Sequence, residues 1–467
     1  MSKHDIEAIY PLSPLQQGIL FHSVLEDGHD PYVLQLSYRM EGLRPAALRR
    51  AWERTIERHA VLRSAFLWER NDRPLQVVHR RVEPAAWEEA DWRGLSAEER
   101  ERALSDFLAA ERARGFAFKK APLMRFGLFR LDEDEFQWAW SYHHLLMDGW
   151  SVQTVLRDVF ACYDAELRGE APRWGAPPAY AGYVAWLQKQ DVAAAEAFWR
   201  EALRGLEAPT PLEPAPAPDG AGPAHDEMEV RIPRELTEAL QAFARERKVT
   251  LNTVVQGAWA LVLSRWSGEE DVVFGGTVSG RPPELDGVEG MVGLFINTLP
   301  VRVRVPAREP VEAWLRRIQD EQAAARQFDY TPLVQVQGWS DVPRGTALFE
   351  SLLVFENYPL AAVAEERRRA GVQVRSVRSV ERTGYPLALL VLPGGGMEMH
   401  LCAQYHAARF RRQLVERMVG HFRGALEAIA AGPELPLGEL DLLAPPERAR
   451  LLAGRNATAR AYPADAT

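Results

Sequence analysis

Two successive histidines, His143 and His144, are followed after Leu145-Leu146-Met147 by Asp148 and Gly149. An imidazole with a pKa of about 6.5 accepts or shares a proton at neutral pH, as amide formation from an amine requires of a base. Neighbours at the end of a strand point to opposite faces. Only one of the two histidines can therefore face a reaction centre, while the other packs or hydrogen-bonds. Gly149 permits a tight or left-handed backbone, and Asp148 can cap a following helix. The local pattern fits a purely structural pair of histidines beside a helix cap equally well. Zinc is not suggested, because neither H-E-x-x-H nor a Cys/His cluster occurs.

The elements around this segment are legible. Phe136, Trp138, Trp140 and Tyr142 alternate with Gln137, Ala139 and Ser141, a period of two that makes a strand running directly into the histidines. After Gly149, the spacing of Val152, Val155, Leu156, Val159 and Tyr163 predicts a helix. Near the start, Ser13-Pro14-Leu15-Gln16 has the serine, N1 proline and glutamine of a capping-box helix start. Leu34, Leu36, Tyr38 and Met40 mark a strand, and Leu48, Trp52 and Ile56 a helix. Strands are expected near Val61–Trp68 and Met124–Leu131, and a helix over Ala179–Leu206. Glu207–His225 holds six prolines and two glycines, which reads as a semi-extended linker between two lobes. Helix and strand alternate again in the second half, with a strand near Val372–Val380 and a hairpin around Pro393-Gly394-Gly395-Gly396. A long helix near Phe410–Ala431 closes the fold, and Leu443–Thr467 weakens into a linker-like tail. Both halves are mixed α/β.

The 467 residues allow two medium domains or one large two-lobed one. Hydrophobic residues make up 47% and charged residues 26%, a balance suited to burying sizeable cores. No run approaches the ~18 apolar residues of a membrane helix, and the N-terminus lacks a signal-peptide core. A net charge of −9 argues against nucleic acid. Cys162 and Cys402 read as two buried thiols of a cytoplasmic protein.

The H-H-x-x-x-D-G pattern at 143–149 resembles the core motif of nonribosomal peptide synthetase condensation domains, within the chloramphenicol acetyltransferase-like superfamily. Related acyltransferases share that motif, so the weight rests on an ordered set. Tyr10-Pro11-Leu12-Ser13-Pro14-Leu15-Gln16-Gln17-Gly18 is similar to the family's opening motif. Arg58-His59-Ala60-Val61-Leu62-Arg63-Ser64-Ala65-Phe66 is similar to its R-H-x-x-L-R-T-x-F motif, with serine for threonine. Val278-Ser279-Gly280-Arg281, Val292 through Pro300, Tyr330-Thr331-Pro332-Leu333 and Phe355-Glu356-Asn357-Tyr358-Pro359 resemble the later motifs. The likeness runs from Tyr10 to about Leu443.

The resemblance implies two acetyltransferase-like lobes set in a V around a tunnel: residues 1–206 with the histidine motif, and 226–443, joined by the linker 207–225. Residues 444–467 resemble the linker into an adenylation domain, so the chain is expected to be a piece of a longer protein, monomeric when excised. Phosphopantetheine arms of an upstream donor and a downstream acceptor carrier protein would enter the tunnel, the domain itself holding no cofactor. By the motif, His144 faces the tunnel as general base or by holding the amine and steadying the tetrahedral intermediate, with His143 packed inward in support. Asp148 is expected to pair with Arg63 in a structural salt bridge, Gly149 to let the backbone approach the thioester, and Asn357 to line the tunnel or to serve as a turn residue. Ser279, Arg281 and Asn297 are expected in loops and lobe contacts.

Alternatives remain at this level. An epimerisation domain shares the fold and histidines, but Asp148-Gly149 is followed here by Trp150-Ser151-Val152 rather than by V-S-W-R. A heterocyclisation domain would carry aspartates in place of the first histidines. A non-catalytic docking domain would have lost the histidine pattern, and a stand-alone acyltransferase using coenzyme A would lack the tail.

Overall fold

The structure is a computed structural model and describes residues 5–25, 30–69, 73–212, 225–358, 360–394 and 398–454. Most of the residues expected as the inter-lobe linker, 213–224, and the tail beyond 454 lie outside the described residues, as do the hairpin-turn residues 395–397.

The first half contributes strands β1 (Ile6–Pro11), β2 (Val33–Glu41), β3 (Ser64–Leu67), β4 (Leu75–His79), β5 (Ala86–Asp91), β6 (Met124–Arg130) and β7 (Glu135–His143). Its helices are α1 (Pro14–Leu25), α2 (Pro45–Arg58), α3 (Ala97–Arg114), α4 (Gly149–Arg168), α5 (Tyr180–Leu187) and α6 (Val192–Ala202). The elements expected at β2, β6, β7, α1, α2 and α4 are present, β1, β4, β5 and α3 are additions that the periodicity did not mark, and two expected segments are refined. The segment expected as a strand from Val61 begins as a 3-10 turn, Ala60–Arg63, before β3. The helix expected over 179–206 is broken where Asp191 caps α6, its carboxylate accepting from the N–H groups of Ala193 and Ala194.

In the second half the strands are β8 (His225–Ile232), β9 (Asp271–Val278), β10 (Asn297–Arg304), β11 (Ser351–Phe355), β12 (Gln373–Val380), β13 (Leu387–Leu392) and β14 (Met399–His406). Helices α7 (Arg234–Arg247), α8 (Leu251–Ser267), α9 (Val311–Ala325), α10 (Leu333–Trp339), α11 (Leu360–Arg369), α12 (Arg412–Ala431) and α13 (Pro445–Ala449) complete the set. A six-stranded sheet runs β10-β9-β11-β13-β14-β8, with β11 parallel to both neighbours. Helix α8 is apolar nearly all round and is buried between this sheet and α12, as a helix without a polar face must be.

The other large sheet runs β12-β2-β7-β6-β5. Its first strand comes from the second half of the sequence: β12 pairs antiparallel with β2, Val380 opposite Gln35. Val363, Ala370 and Val372 accordingly join the first core and not the second. Period-two patterning identified that strand but carried no information about which sheet it enters.

The two faces of β7 explain the histidines' surroundings. Trp138 and Trp140 lie against Trp52 of α2, with ring centroids 5.9 and 4.7 Å apart. Each such side chain contributes roughly 1.5–3 kcal/mol or more when buried. On the opposite face, Gln35 of β2 donates to Ser141 Oγ and to the Leu108 carbonyl of α3, each at 3.0 Å. The last pair of this ladder sets Val33 against His143.

Candidate active site

Strand β7 ends at His143, which shares the α3-facing side with Ser141 and is fully buried. Its Nε2–H donates to Asp30 Oδ2 at 2.9 Å, and its Nδ1 accepts from the N–H of Leu145 at 3.1 Å. Phe118 meets the ring edge-on at 4.9 Å. Burial lowers the His143 pKa, against the opposing hydrogen bond and charge of Asp30. The imidazole is therefore neutral at neutral pH, as the two bonds require. Burial raises the Asp30 carboxyl, but hydrogen bonds from His143, the Tyr32 N–H and the Ser23 hydroxyl outweigh it and hold the pKa below the usual range.

His144 turns the other way and is partly exposed. Its backbone N–H donates to Tyr32 O at 2.9 Å. In the side chain, Nδ1 lies 2.9 Å from the carbonyl of Met147, which can only accept. That bond places the hydrogen on Nδ1 and leaves the Nε2 lone pair directed outward, with no partner among the described residues.

The loop between the histidines and α4 is held from three sides. Gln16, in the capping box of α1, donates from Nε2 to the Leu145 carbonyl at 2.9 Å and to Gln76 Oε1 at 2.9 Å; Gln76 in turn donates to Ser64 Oγ at 2.8 Å. The opening motif and the Arg58–Phe66 motif therefore meet at the histidine loop. Asp148 caps α4, its Oδ1 accepting from the Ser151 N–H at 2.8 Å. Its Oδ2 accepts from the N–H of Phe295 at 3.0 Å, and its own N–H donates to Gly293 O at 3.1 Å.

The expected Arg63–Asp148 salt bridge is not formed. Arg63 sits beside the small sheet β1-β4-β3, where it binds Glu7 Oε2 at 2.7 Å and the carbonyls of Ile56 and His79. The cation beside Asp148 is Arg281, with Nη2 at 3.3 Å from Oδ1. Arg281 also donates to Ser151 Oγ and to the carbonyls of Val288 and Met291, and its guanidinium lies 3.9 Å from the Phe295 ring centroid. Asp148 faces the 291–295 segment because the cap fixes one carboxylate oxygen toward Ser151 and turns the other to that strand of backbone. Sequence reading placed Arg281 among the lobe contacts without its partner, since 133 positions separate the two. Asn297 donates to the carbonyls of Asp329 and Thr331, holding a loop.

Gly149 does not have a left-handed backbone. Instead, a Cβ there would overlap the Tyr358 hydroxyl and its Cζ, so the missing side chain makes room for that ring. Asn357 is exposed beside it. The Tyr358 contact had no signal beyond the adjacency of Asn357 and Tyr358 in one motif. A cavity of about 940 Å³ lies on the second-sheet side of Arg281, lined also by Gln256, Asp329 and Phe355; His144 is not among its lining residues. Among the described residues no group of three or more His, Cys, Asp or Glu side chains could hold a metal, and no helix is long and apolar enough to cross a membrane. Cys162 and Cys402 are free thiols.

Residues 6–452 match the family described as Condensation domain. The chain belongs to that family. The condensation domain is 44% identical over 462 residues to one of the linear gramicidin synthase proteins of Brevibacillus parabrevis, covering 98% of this chain and 6% of that protein. It thus spans a small part of the length of the synthetases it matches. The first condensation domain of the calcium-dependent antibiotic synthetase, solved with a substrate analogue, superposes with a TM-score of 0.75 at 20% identity, covering 94% of this chain and all of that one. The X-domain of teicoplanin biosynthesis, solved with OxyB, superposes with a TM-score of 0.74 at 22% identity, over 95% of this chain and 97% of that one. These superpositions show the fold that the chain shares with the solved condensation domain and X-domain.

Proposed function

We propose that this domain joins an acyl or peptidyl thioester on an upstream carrier protein to the α-amine of an aminoacyl thioester on a downstream carrier protein. The observation that carries the reading is the Nδ1–H to Met147 bond, which presents His144 Nε2 as an acceptor at the end of β7. The acceptor nitrogen attacks the thioester carbon, the C–N bond forms, and the C–S bond breaks. The amine proton passes to His144 Nε2 and from there to the departing thiol. His143 keeps the loop in shape through Asp30, and Asp148 with Arg281 ties the start of α4 to the second lobe. Phosphopantetheine arms belong to the carriers and bring both thioesters; the domain needs no resident cofactor. In this reading 207–225 joins the lobes, 444–467 leads toward an adenylation domain, and the protein works in the cytoplasm.

Loaded donor and acceptor carriers, mixed with the domain, give a dipeptidyl product that vanishes in His144→Ala. Equal product from that variant overturns the assignment. Racemisation of a single loaded carrier at its α-carbon would identify an epimerisation domain, and carrier binding without either reaction a docking domain.

A further inference from the structure

The two histidines carry their ring hydrogens on opposite nitrogens. His143 donates from Nε2 to Asp30 Oδ2 and accepts at Nδ1 from the Leu145 N–H, whereas His144 donates from Nδ1 to the Met147 carbonyl. Asp30 reaches the buried His143 ring because β2 begins three residues later, where Val33 pairs with His143. Both carboxylate oxygens of Asp30 are acceptors. Oδ2 serves His143, and Oδ1 takes the Ser23 hydroxyl of α1 and the Tyr32 N–H, each at 3.0 Å. We propose that Asp30 is a positioning residue for His144: it holds His143 in the Nε2–H form, and that form, acting through the Leu145 N–H, keeps the His144 hydrogen on Nδ1. The inference rests on the amide-forming reading and adds to it what sets the tautomer of the base.

The link between the two rings is the peptide that joins residues 144 and 145. A peptide is planar, so its N–H and C=O turn together. Here the N–H is held by the bare Nδ1 of His143, and the C=O accepts from the Met147 N–H at 3.2 Å. Met147 closes the same turn a second time, its carbonyl accepting from His144 Nδ1 at 2.9 Å. A hydrogen on His143 Nδ1 would oppose the Leu145 N–H across the 3.1 Å that now separates the two nitrogens. The peptide would have to rotate, Met147 would move with it, and His144 Nδ1 would lose its acceptor. The His144 hydrogen could then settle on Nε2, where the ring cannot take a proton from the amine.

A carboxylate suits this task and a neutral amide does not, because a carboxylate accepts at both oxygens and an amide at one. In Asp30→Asn the single oxygen stays with the Tyr32 N–H two residues on, the bond of an Asx turn. The amide N–H then points at His143 Nε2 and needs a lone pair there, which drives the ring hydrogen to Nδ1, against Leu145. Turning the amide over only moves the conflict to Tyr32. The His143 side chain is wholly shielded from water and that of Asp30 is 11% exposed, so solvent offers no ready substitute. Among the described residues the other close neighbours of the ring are Ser23 Oγ, at 3.5 Å from Nε2, and the edges of Phe116 and Phe118. Neither benzene ring can direct a tautomer.

The test uses the whole domain, with loaded carriers for the rate and isotope-labelled histidine for the tautomers. Nitrogen NMR of wild type should show His143 protonated at Nε2 and His144 at Nδ1, the signals being assigned from His143→Asn and His144→Ala. Asp30→Asn should shift the hydrogen in both rings and lower the single-turnover rate about 100-fold, the size of a misplaced reacting group, with carrier affinities unchanged. His143→Asn sets an amide oxygen near the place of Nδ1 and has no tautomers. Adding Asp30→Asn in that background should therefore change the rate by less than about threefold. An Asp30→Asn domain as fast as wild type overturns the inference, as does a slow one whose His144 keeps its hydrogen on Nδ1. So does an undiminished Asp30→Asn loss in the His143→Asn background. Should Asp30→Asn fail to fold, His143→Asn and His143→Gln decide: His144 should keep the Nδ1 hydrogen in the first, which retains an acceptor for the Leu145 N–H, and lose it in the second, and the same His144 spectrum in both overturns the inference. If wild type forms no amide at all, the amide-forming reading itself has failed, and the spectra still judge the tautomers. If wild type is active and His144→Ala is not, that reading stands whatever Asp30 does.

Discussion

The Asp148 carboxylate lies 3.3 Å from the Arg281 guanidinium, and both side chains are almost wholly shielded from water. The pair joins the cap of α4 in the first half of the chain to the segment after β9 in the second. Removing one member of a buried pair leaves the other uncompensated, which costs about 3–5 kcal/mol.

Asp148→Asn and Arg281→Ala should each lower stability by an amount in that range, and the double variant should lose far less than the sum. Arg63→Ala should also destabilise, through Glu7 and the carbonyls around the small sheet. Combined with Asp148→Asn its effect should be additive within about 0.5 kcal/mol. Urea unfolding of the five variants measures both terms; strong coupling of Arg63 with Asp148 would show the partners to be wrongly assigned.

Gly149→Ala places a methyl where the Tyr358 ring lies. Overpacking of this kind costs about 1–3 kcal/mol, and the displaced ring should also slow amide formation. Adding Tyr358→Ala removes the clash. The double variant should therefore recover the melting temperature of Tyr358→Ala alone, checked by calorimetry.

Gln16 donates to both Leu145 O and Gln76 in a fully buried position. Gln16→Leu leaves two buried acceptors without their donor, at a cost of about 1–3 kcal/mol each. Because Leu145 follows His144 directly, the rate with loaded carriers should fall as well, while Gln17→Ala, at an exposed position of α1, should leave it within about twofold. A Gln16→Leu domain with unchanged rate would remove α1 from the support of the loop.

Stability should fall in mild acid. Burial holds the folded His143 pKa below its ordinary value of about 6.5, while the unfolded chain titrates near that value. Below it the unfolded state binds a proton that the folded state refuses, so this contribution is complete above about pH 6.5 and is lost as pH falls through the folded pKa. Asp30, also held low, adds a loss in the same direction at still lower pH. His143→Gln should be less stable than wild type at pH 7.5, with the difference narrowing toward pH 5. A constant gap in urea midpoints across that range would place the titration elsewhere.

Strand and helix periodicity located the elements because burial on one face imposes a period of two or 3.6 on the residues themselves. The histidine pair was legible for the same reason: β7 alternates up to His143, so His144 turns away from the packed side. What could not be read were contacts closed by distant chain. Arg281 reaches Asp148 and Tyr358 reaches Gly149 only once β9 and β11 have been assembled in the other sheet, and neither strand's composition names its destination. Arg63 is the instructive error. A cation in a neighbouring motif was assigned to the motif's aspartate, while the small sheet offered it a carboxylate and carbonyls at closer range.

The placement of β12 bears on how the domain can be cut or opened. Without it, β2 would present nine residues of unpaired backbone, a ready template for association with another chain. In its place β12 forms the rim of the sheet, mostly exposed and carrying Arg375 and Arg378, which are tied to Glu41 and Glu101. Charge along a rim discourages a further strand from adding. A fragment ending before residue 373 would thus expose a sticky margin as well as lose part of its core, and prying the two halves of the chain apart means peeling a strand from a sheet. The crossover works as both selvedge and strap.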